Sequence, residues 1–204
     1  MTGLFWTALF AQMAMGAFDT LYHHEGTERL AWRARQAREL KLHGVRNIAY
    51  AVLFAALGWS VPQGAWAIAL LLLLAAELVI TLWDFVEEDR TRRLPATERV
   101  THTLLTLNYG VVLMLLVPWL LDHAAMPSAL LPAYHGWISW ACALGALGVM
   151  LFGLRDLAAA ARCPRLKRQP AATLADALGG TRKTVLVTGG TGFGVRLLTE
   201  WTLT

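Results

Sequence analysis

Cysteine is scarce in this chain, and three familiar catalytic motifs are missing from it. The two cysteines, Cys142 and Cys163, lack the short spacing of zinc and iron–sulfur motifs, so we interpret both as free thiols. The patterns GxxxxGK(S/T), HExxH and GxSxG do not occur. Their absence removes the sequence support for a P-loop nucleotidase, a zincin protease or an α/β-hydrolase.

Lysine and arginine are also absent from three long stretches, residues 1–28, 47–89 and 100–154. All 18 basic residues lie instead in segments 29–46, 90–99 and 155–196. Basic residues in short loops keep those loops on the cytoplasmic side during membrane insertion. The distribution therefore predicts a multi-pass protein of the cell (inner) membrane, with its N-terminus outside and its C-terminus cytoplasmic.

The stretches without basic residues are apolar enough to cross a bilayer. Hydrophobic residues make up 56% of the chain, which is high for a soluble domain, and a spanning helix needs about 20 mostly apolar residues. We predict an all-α membrane protein, a bundle of about five transmembrane helices over residues 3–21, 47–60, 65–86, 100–121 and 136–154. The net charge of +4 is then explained by basic residues that determine the membrane orientation and contact anionic lipid headgroups. The predicted partner is the lipid bilayer, and nucleic acid is not expected.

Composition divides the chain into three regions: a transmembrane helical domain over 1–160, a basic juxtamembrane linker over 161–182, and a glycine-rich end over 183–204. The last region contains VLVTGGTGF at 185–193, a β-branched run followed by a glycine-rich turn. Residues 183–194 resemble the start of the extended short-chain dehydrogenase and NAD-dependent epimerase family. The resemblance implies the first strand and the phosphate-binding turn of a Rossmann domain.

This turn departs from the family pattern. Gly189 and Gly192 fit it, but the closing glycine stands at Gly194, one place early, and Val195 occupies its expected position. A complete Rossmann unit also needs a second strand and an acidic residue about 20 residues further on. We therefore expect the turn to be non-functional and these 204 residues to bind no NAD(P). Our hypothesis is a membrane–epimerase fusion shortened by truncation or frameshift.

Histidines and carboxylates concentrate near the predicted cytoplasmic helix ends. Residues four apart share a helix face, so five pairs can bind a ligand from one side: Asp19/His23, His24/Glu28, His43/Asn47, Asp84/Glu88 and Glu98/His102. Glu77 shares a face with Asp84 and lies within the predicted membrane, where a carboxylate is costly without a partner. His102 and Asn108 are the expected partners of Glu77.

Imidazoles and carboxylates from four helix ends can converge on a metal pair, as in helical di-iron carboxylate proteins. We predict metal ligands from the set Asp19, His23, His43, Glu77, Asp84, Glu98 and His102, with iron, zinc or manganese as the metal; no residue is assigned a catalytic role. The alternative is that these groups are ordinary partners of nearby arginines. Glu87, Glu88 and Asp89 in particular are expected to face water.

Three functions remain open at this point. The first is a metal-dependent oxidoreductase module that acts on a lipophilic substrate. The second is a membrane anchor without catalysis, which tethers an NAD-dependent epimerase-like domain that is incomplete here. The third is a small transporter that uses Glu77, and it has the least support because no inverted repeat is visible.

Overall fold

The computed structural model describes residues 1–32 and 36–167 and is helical throughout most of that part. Its long helices are α1 (Gly3–Phe18), α2 (Ala37–Trp59), α3 (Ala65–Thr91), α4 (Ala96–Ala124) and α5 (Trp137–Lys167). A π-helical segment, Asp19–Thr27, continues α1 and is followed by a single 3-10 turn, Leu30–Trp32. Two short strands, β1 (Ser60–Gln63) and β2 (Ala129–Pro132), complete the described fold.

Three helices are long and apolar enough to cross a membrane: Ala65–Thr91, Ala96–Ala124 and Trp137–Arg162. Many of their large apolar side chains, among them Leu72, Met114 and Leu144, are exposed on the outside of the chain, as expected for a surface that faces lipid. The architecture is therefore that of a helical membrane protein. Helix α1 is only 16 residues long, and α2 has charged residues in its first turns, so five spans remain a prediction.

The two connectors that lack basic residues meet at one end of the molecule. Strand β1 follows α2 directly, β2 follows α4, and the two pair in antiparallel fashion with Ser60 opposite Pro132. Gly64 precedes α3 at this end and has a positive φ of 54°. Glycine suits this position for a second reason as well, since a Cβ there would lie 2.6 Å from the Cα of Ser128. The end of α3 and the start of α4, which flank the basic segment 90–99, lie at the other end of the helices.

Helices α2 and α5 pack in close contact through glycines. A Cβ on Gly44 would lie 2.7 Å from the side chain of Leu157 and 2.9 Å from the carbonyl oxygen of Gly153. Near the strand end, a Cβ on Gly58 would lie 2.6 Å from that of Cys142. Small residues that permit such close approach are typical of helix pairs in membranes. Cys142 is buried in this contact as a free thiol.

Two helices extend beyond their predicted limits. Helix α2 begins at Ala37, ten residues before the predicted span 47–60, and α5 continues to Lys167 through the first part of the predicted linker. Both extensions bring polar residues into helices at the basic end. The remainder of the linker and the whole glycine-rich end, including Gly189, Gly192 and Gly194, lie outside the described residues.

Candidate metal centre

Four chain segments bring buried ionisable side chains together at the basic end of the bundle. The segments are the π-helical turn after α1, the start of α2, the end of α3 and the start of α4. Their buried members are Asp19, His23, His24, Glu39, His43, Asp84, Glu87, Glu88 and Glu98, and His102 is half-buried beside them. Such a concentration of charge away from water requires mutual pairing or a bound cation.

The π-helical turn explains why two consecutive histidines face inward. Hydrogen bonds in a π-helix join residues five apart, so residues four and five positions after Asp19 both lie near it. Asp19 Oδ1 accepts a hydrogen bond from His23 Nδ1 at 2.9 Å, and Asp19 Oδ2 lies 3.4 Å from His24 Nε2. Asp19 Oδ2 also approaches His102 Nε2 at 3.3 Å, which ties this turn to α4.

A first ligand group joins the π-helical turn with α3 and α4. His24, Glu88, Glu98 and His102 each offer one donor atom, and these atoms lie within 4.8 Å of one another. Donor atoms bound to one zinc ion lie about 2.0–2.2 Å from it, and hence at most about 4.4 Å apart. Four donors arranged tetrahedrally around one ion lie about 3.3–3.6 Å apart, so the most distant pairs of this group would have to move closer by up to about 1 Å to share an ion.

A second ligand group joins α2 with α3. Donor atoms of Glu39, His43 and Glu88 likewise lie within 4.8 Å of one another. Glu88 belongs to both groups, and its two oxygens point toward different ones: Oε2 lies 3.5 Å from His102 Nδ1, and Oε1 lies 3.7 Å from His43 Nε2. A carboxylate in this position can bridge two metal ions.

Several buried donor atoms in these groups make no hydrogen bond to any described residue: His24 Nε2, His43 Nε2 and Glu88 Oε1. Each has a charged neighbour instead. His43 Nε2 lies 2.8 Å from Asp84 Oδ2, and His24 Nε2 lies 3.4 Å from Asp19 Oδ2. Glu88 Oε1 lies 3.6 Å from Arg92 Nη2. These ion pairs offset part of the cost of a missing hydrogen bond, which is about 1–3 kcal/mol for a buried atom. Two nitrogens and an oxygen in this state fit a site that a cation completes.

Arginine and histidine compensate part of the negative charge of the cluster. Five of its carboxylates (Asp19, Glu39, Asp84, Glu88 and Glu98) are almost fully buried, whereas two guanidinium groups pair with them. Arg46 Nη1 donates to Asp84 Oδ2 at 2.9 Å. Arg92 binds Glu98 through two nitrogens, at 2.8 and 2.5 Å, and Glu39 through Nε at 3.1 Å. Burial disfavours the charged form of His43, but the nearby carboxylate of Asp84 outweighs it and raises the pKa of His43 to about 10. Five negative charges therefore face three positive ones, and protonation of His102, which contacts Asp19 and Glu88, would add a fourth.

The π-helical turn contains two perturbed ionisable groups. Burial lowers the pKa of His24, and the positive charges around His43, Arg46 and Arg92 lower it further, so His24 is neutral at pH 7. Burial alone would raise the pKa of Asp19, but the hydrogen bond from His102 and the neighbouring imidazoles outweigh it and hold that pKa below its usual value. Neutral imidazole and ionised carboxylate are the forms that bind metals.

Stacking limits protonation within the cluster. The rings of His24 and His43 lie parallel, with centroids 4.4 Å apart and an interplanar angle of 9°. Two imidazolium ions in this arrangement would repel each other, because like charges at close range disfavour the charged form. One of the two stacked rings therefore carries the charge: His24 is neutral, and His43 is the protonated partner that compensates part of the negative charge.

Six residues of the predicted metal set meet in this region, and Glu77 lies apart from them. His43, Glu98 and His102 are in the two ligand groups. Asp19, His23 and Asp84 contact group members or each other from the periphery. Glu77 is two turns from Asp84 along α3, about 10 Å away, and accepts hydrogen bonds from Tyr109 and from Thr81 at 2.7 Å.

The structure corrects two expectations. Glu87 and Glu88 are buried instead of facing water, and only Asp89 of that run is exposed. The partners of Glu77 are Tyr109 and Thr81, not the expected His102 and Asn108. His102 contacts Asp19 and Glu88 instead. The Asn108 side chain turns toward α1 and donates to the carbonyl oxygen of Ala8 and the side chain of Gln12.

Sequence reasoning left three members of the ligand groups out of the predicted set: His24, Glu39 and Glu88. A signal for Glu88 existed, since it follows Asp84 by four residues on the same helix. His24 requires the π-helical turn, and Glu39 requires the early start of α2 at Ala37. Neither feature is visible in the apolar periodicity of the sequence.

An apolar cavity of about 540 Å³ adjoins the cluster. Asp19, Arg46 and His102 line its end at the cluster, and the side chains of all five helices surround the rest of it. Phe10 and Phe54 lie toward its other end. The volume falls in the range of about 300–1,000 Å³ that is typical of small-molecule sites.

Comparison with protein-family models, with curated proteins and with solved structures finds no match to this chain.

Proposed function

We propose that the chain is a membrane-embedded oxidoreductase module whose active centre is a pair of transition-metal ions bound by the two ligand groups. His24, Glu98 and His102 would hold one ion, Glu39 and His43 the other, and Glu88 would bridge them. Iron, manganese and zinc all accept such mixed sets of imidazole and carboxylate.

One observation carries this proposal: a shared Glu88 stands between two compact groups of buried donor atoms, several of which lack a hydrogen bond. A pair of divalent cations would also compensate the negative charge that Arg46, Arg92 and a protonated His43 leave among the five buried carboxylates. Ion pairing with arginine accounts for Asp84 and part of Glu98 and Glu39. Glu88 has a longer contact with the same Arg92, 3.6 Å between Oε1 and Nη2.

Redox chemistry is the reaction class that this donor set favours. Iron or manganese, when bound, would supply a change of oxidation state next to the apolar cavity. The protein side chains have their own tasks: Arg92 holds the carboxylates of Glu39 and Glu98 in place, and Asp19 orients the imidazoles of His23 and His102. The apolar side chains that line the cavity on all five helices would hold a lipophilic substrate.

The proposed orientation puts the cluster at the cytoplasmic boundary of the inner membrane. Five spans, with the N-terminus and the β1–β2 end outside and the C-terminus in the cytoplasm, follow from the positive-inside distribution of the basic residues. Three apolar helices support the membrane location. Cytosolic reducing equivalents would be accessible to a centre at that boundary.

A catalytically inactive anchor is the second candidate, and the arginine contacts favour it. Arg46–Asp84 and Arg92–Glu98 link α2, α3 and α4 without a metal. Protonation of His43 and His102 would then compensate part of the remaining charge. In this case the module would tether the epimerase-like region that residues 183–194 resemble.

Metal analysis of the purified full chain tests the proposal. In detergent, we expect two transition-metal ions per chain, and reversible oxidation of bound iron or manganese followed by electron paramagnetic resonance. Glu88→Gln should lower the occupancy of both sites, whereas His24→Ala should mainly affect one. The matched control is Glu87→Gln, which alters a buried carboxylate that pairs with Arg38 at 3.4 Å and belongs to neither group.

Three results would contradict the proposal. A folded protein that acquires no metal from iron, manganese or zinc solutions would leave the anchor as the better account. Equal metal content in Glu88→Gln and Glu87→Gln would show that Glu88 is not a shared ligand. Binding of zinc alone would remove the redox part of the proposal.

A further inference from the structure

We propose that the cavity beside the cluster binds a single-chain lipid with an uncharged polar end, such as a fatty alcohol or aldehyde, with that end directed toward His102 and Asp19. This inference names the substrate class of the proposed oxidoreductase and rests on that function for its chemical purpose. It stands on the shape, lining and charge of the cavity.

The cavity is elongated along the bundle. Its lining on α1 extends from Phe10 to Ala17, about 10 Å of helix, and continues to Asp19 in the π-helical turn. Its lining on α5 extends from Leu144 to Phe152, about 12 Å. The space is also open to the outside of the bundle beside exposed Leu82 and Leu144. A long space with such a lateral opening suits one flexible alkyl chain better than a wide, rigid ring system.

Small residues keep the cavity open. Gly16 on α1 and Gly148 on α5 both line it, and a Cβ added to either would meet no atom within 4 Å. Ala14 and Ala17 widen the α1 wall in the same way. Larger side chains at these places would fill the space, so the chain has open volume where an apolar tail would lie.

Charge selects the polar end of the ligand. Among the described residues, Arg46 is the only lysine or arginine that lines the cavity, and it already pairs with Asp84 at 2.9 Å. Asp19, the acidic residue at the cluster end of the lining, would repel a carboxylate or a phosphate. An alcohol or a carbonyl group would meet no such repulsion and could hydrogen-bond to His102.

Two residues shared by the cavity and the cluster indicate how the lipid would be oriented. Asp19 and His102 belong to both places: they line the cavity, and they contact each other at 3.3 Å within the cluster. At the opposite end the aromatic rings of Phe10 and Phe54 provide an apolar boundary. The polar end therefore lies next to the ligand groups and the tail points toward the interior of the membrane.

Photolabelling in liposomes of a zwitterionic lipid tests this inference. The probes are a long-chain fatty alcohol with a diazirine at its tail end, the fatty acid of equal length, and a photoreactive sterol. We expect saturable labelling of the full chain by the alcohol, at Phe10, Phe54 or their neighbours, and at least tenfold weaker labelling by the acid and the sterol. Preferential labelling by the acid or the sterol would overturn the assignment.

Two variants test whether the lipid binds in the cavity. Gly148→Phe fills the cavity from α5 and should reduce saturable labelling at least tenfold. Its matched control is Gly110→Phe on α4, where a Cβ also meets no atom within 4 Å but the position is exposed and does not line the cavity. If Gly148→Phe does not fold, Gly16→Leu tests the opposite wall. Undiminished labelling in a folded cavity variant would refute the cavity as the binding site.

Metal content measured on the same samples separates this inference from the proposed function. Gly148→Phe should keep the metal content of the unmodified chain while it loses the lipid. Saturable alcohol labelling of a chain that binds no metal would contradict the oxidoreductase proposal and leave the lipid site intact. Normal metal content without saturable alcohol labelling would contradict the lipid site and leave the oxidoreductase proposal intact.

Discussion

Arg92 is the residue at which loss of one side chain should disturb the cluster most. It follows α3 directly, and its side chain is only 6% exposed. Its guanidinium group binds Glu98 through two nitrogens and Glu39 through Nε, so that one residue fixes the starts of α2 and α4 to the end of α3. Arg92→Met retains much of the length of the side chain but removes the charge and these hydrogen bonds.

The expected loss follows from burial. Removal of one partner from a buried ion pair typically costs about 3–5 kcal/mol, because the remaining charge stays desolvated. Glu39 and Glu98 are both fully buried, with relative exposure of 0%, so the Arg92→Met variant should lose a free energy of unfolding in that range. Arg92→Lys keeps the charge without the planar fork and should lose less.

Bound metal should reduce this loss, because Glu39 belongs to one ligand group and Glu98 to the other. We therefore expect a larger destabilisation in chelator-treated protein than in metal-loaded protein, measured by unfolding in detergent and followed by circular dichroism. A loss below about 1 kcal/mol in metal-free protein would match an exposed pair and refute the argument from burial. Equal losses with and without metal would refute the link between these carboxylates and metal binding.

Three further predictions concern packing, topology and Glu77. Gly44→Leu should lower the free energy of unfolding by at least about 1–3 kcal/mol by overpacking, since its Cβ would meet Leu157 at 2.7 Å; Gly110→Leu, with open space around it, should cost much less in the same unfolding assay. A cysteine at exposed Met126 should react with a membrane-impermeant maleimide from outside, and one at exposed Arg93 only after permeabilisation; the same accessibility at both sites would contradict the proposed orientation. Tyr109→Phe should lower the free energy of unfolding by about 1–3 kcal/mol, because the buried Glu77 oxygen loses the hydrogen bond from Tyr109. The metal content should not change, since Glu77 lies outside the proposed centre; a loss of metal would contradict that placement.

The helices of this bundle were predictable because apolar length is a strong signal. The sequence WAIALLLLLAAELVITLW needs no tertiary information to be assigned to a helix, and α3 contains it. The start of α2 was less accessible, since residues 37–46 are charged or polar in half of their positions. Their helical state depends on contacts that Glu39 and His43 make with α3 and Arg92, and such contacts cannot be read from local periodicity.

The candidate site shows the same division. Residues four apart on a helix share a face, and this rule correctly predicted that Glu98 lies beside His102, and Asp84 beside Glu88. The assignment of Glu88 to water failed because a run of three acidic residues is normally solvated, whereas here the end of α3 lies between α2 and α4. His24 was left out of the predicted ligand set for a geometric reason. In an α-helix its side chain would point away from Asp19, whereas the π-helical turn places it 3.4 Å from Asp19.

The proposed metal pair would account for features of the cluster that helix packing does not require. An anchor would be at least as stable with apolar residues at these positions, because replacing buried ion pairs by well-packed apolar groups is often neutral or stabilising by about 1–4 kcal/mol. Here several imidazole and carboxylate atoms, including His24 Nε2 and Glu88 Oε1, remain without a hydrogen bond to the described residues. Two arginines and a protonated His43 also leave part of the negative charge of the five buried carboxylates uncompensated. A pair of cations bridged by Glu88 would satisfy both deficits at once, and an apolar cavity opens beside them. That coincidence of unmet ligands, excess negative charge and a lipid-sized space is the physical argument for a metal-dependent reaction on a lipophilic substrate.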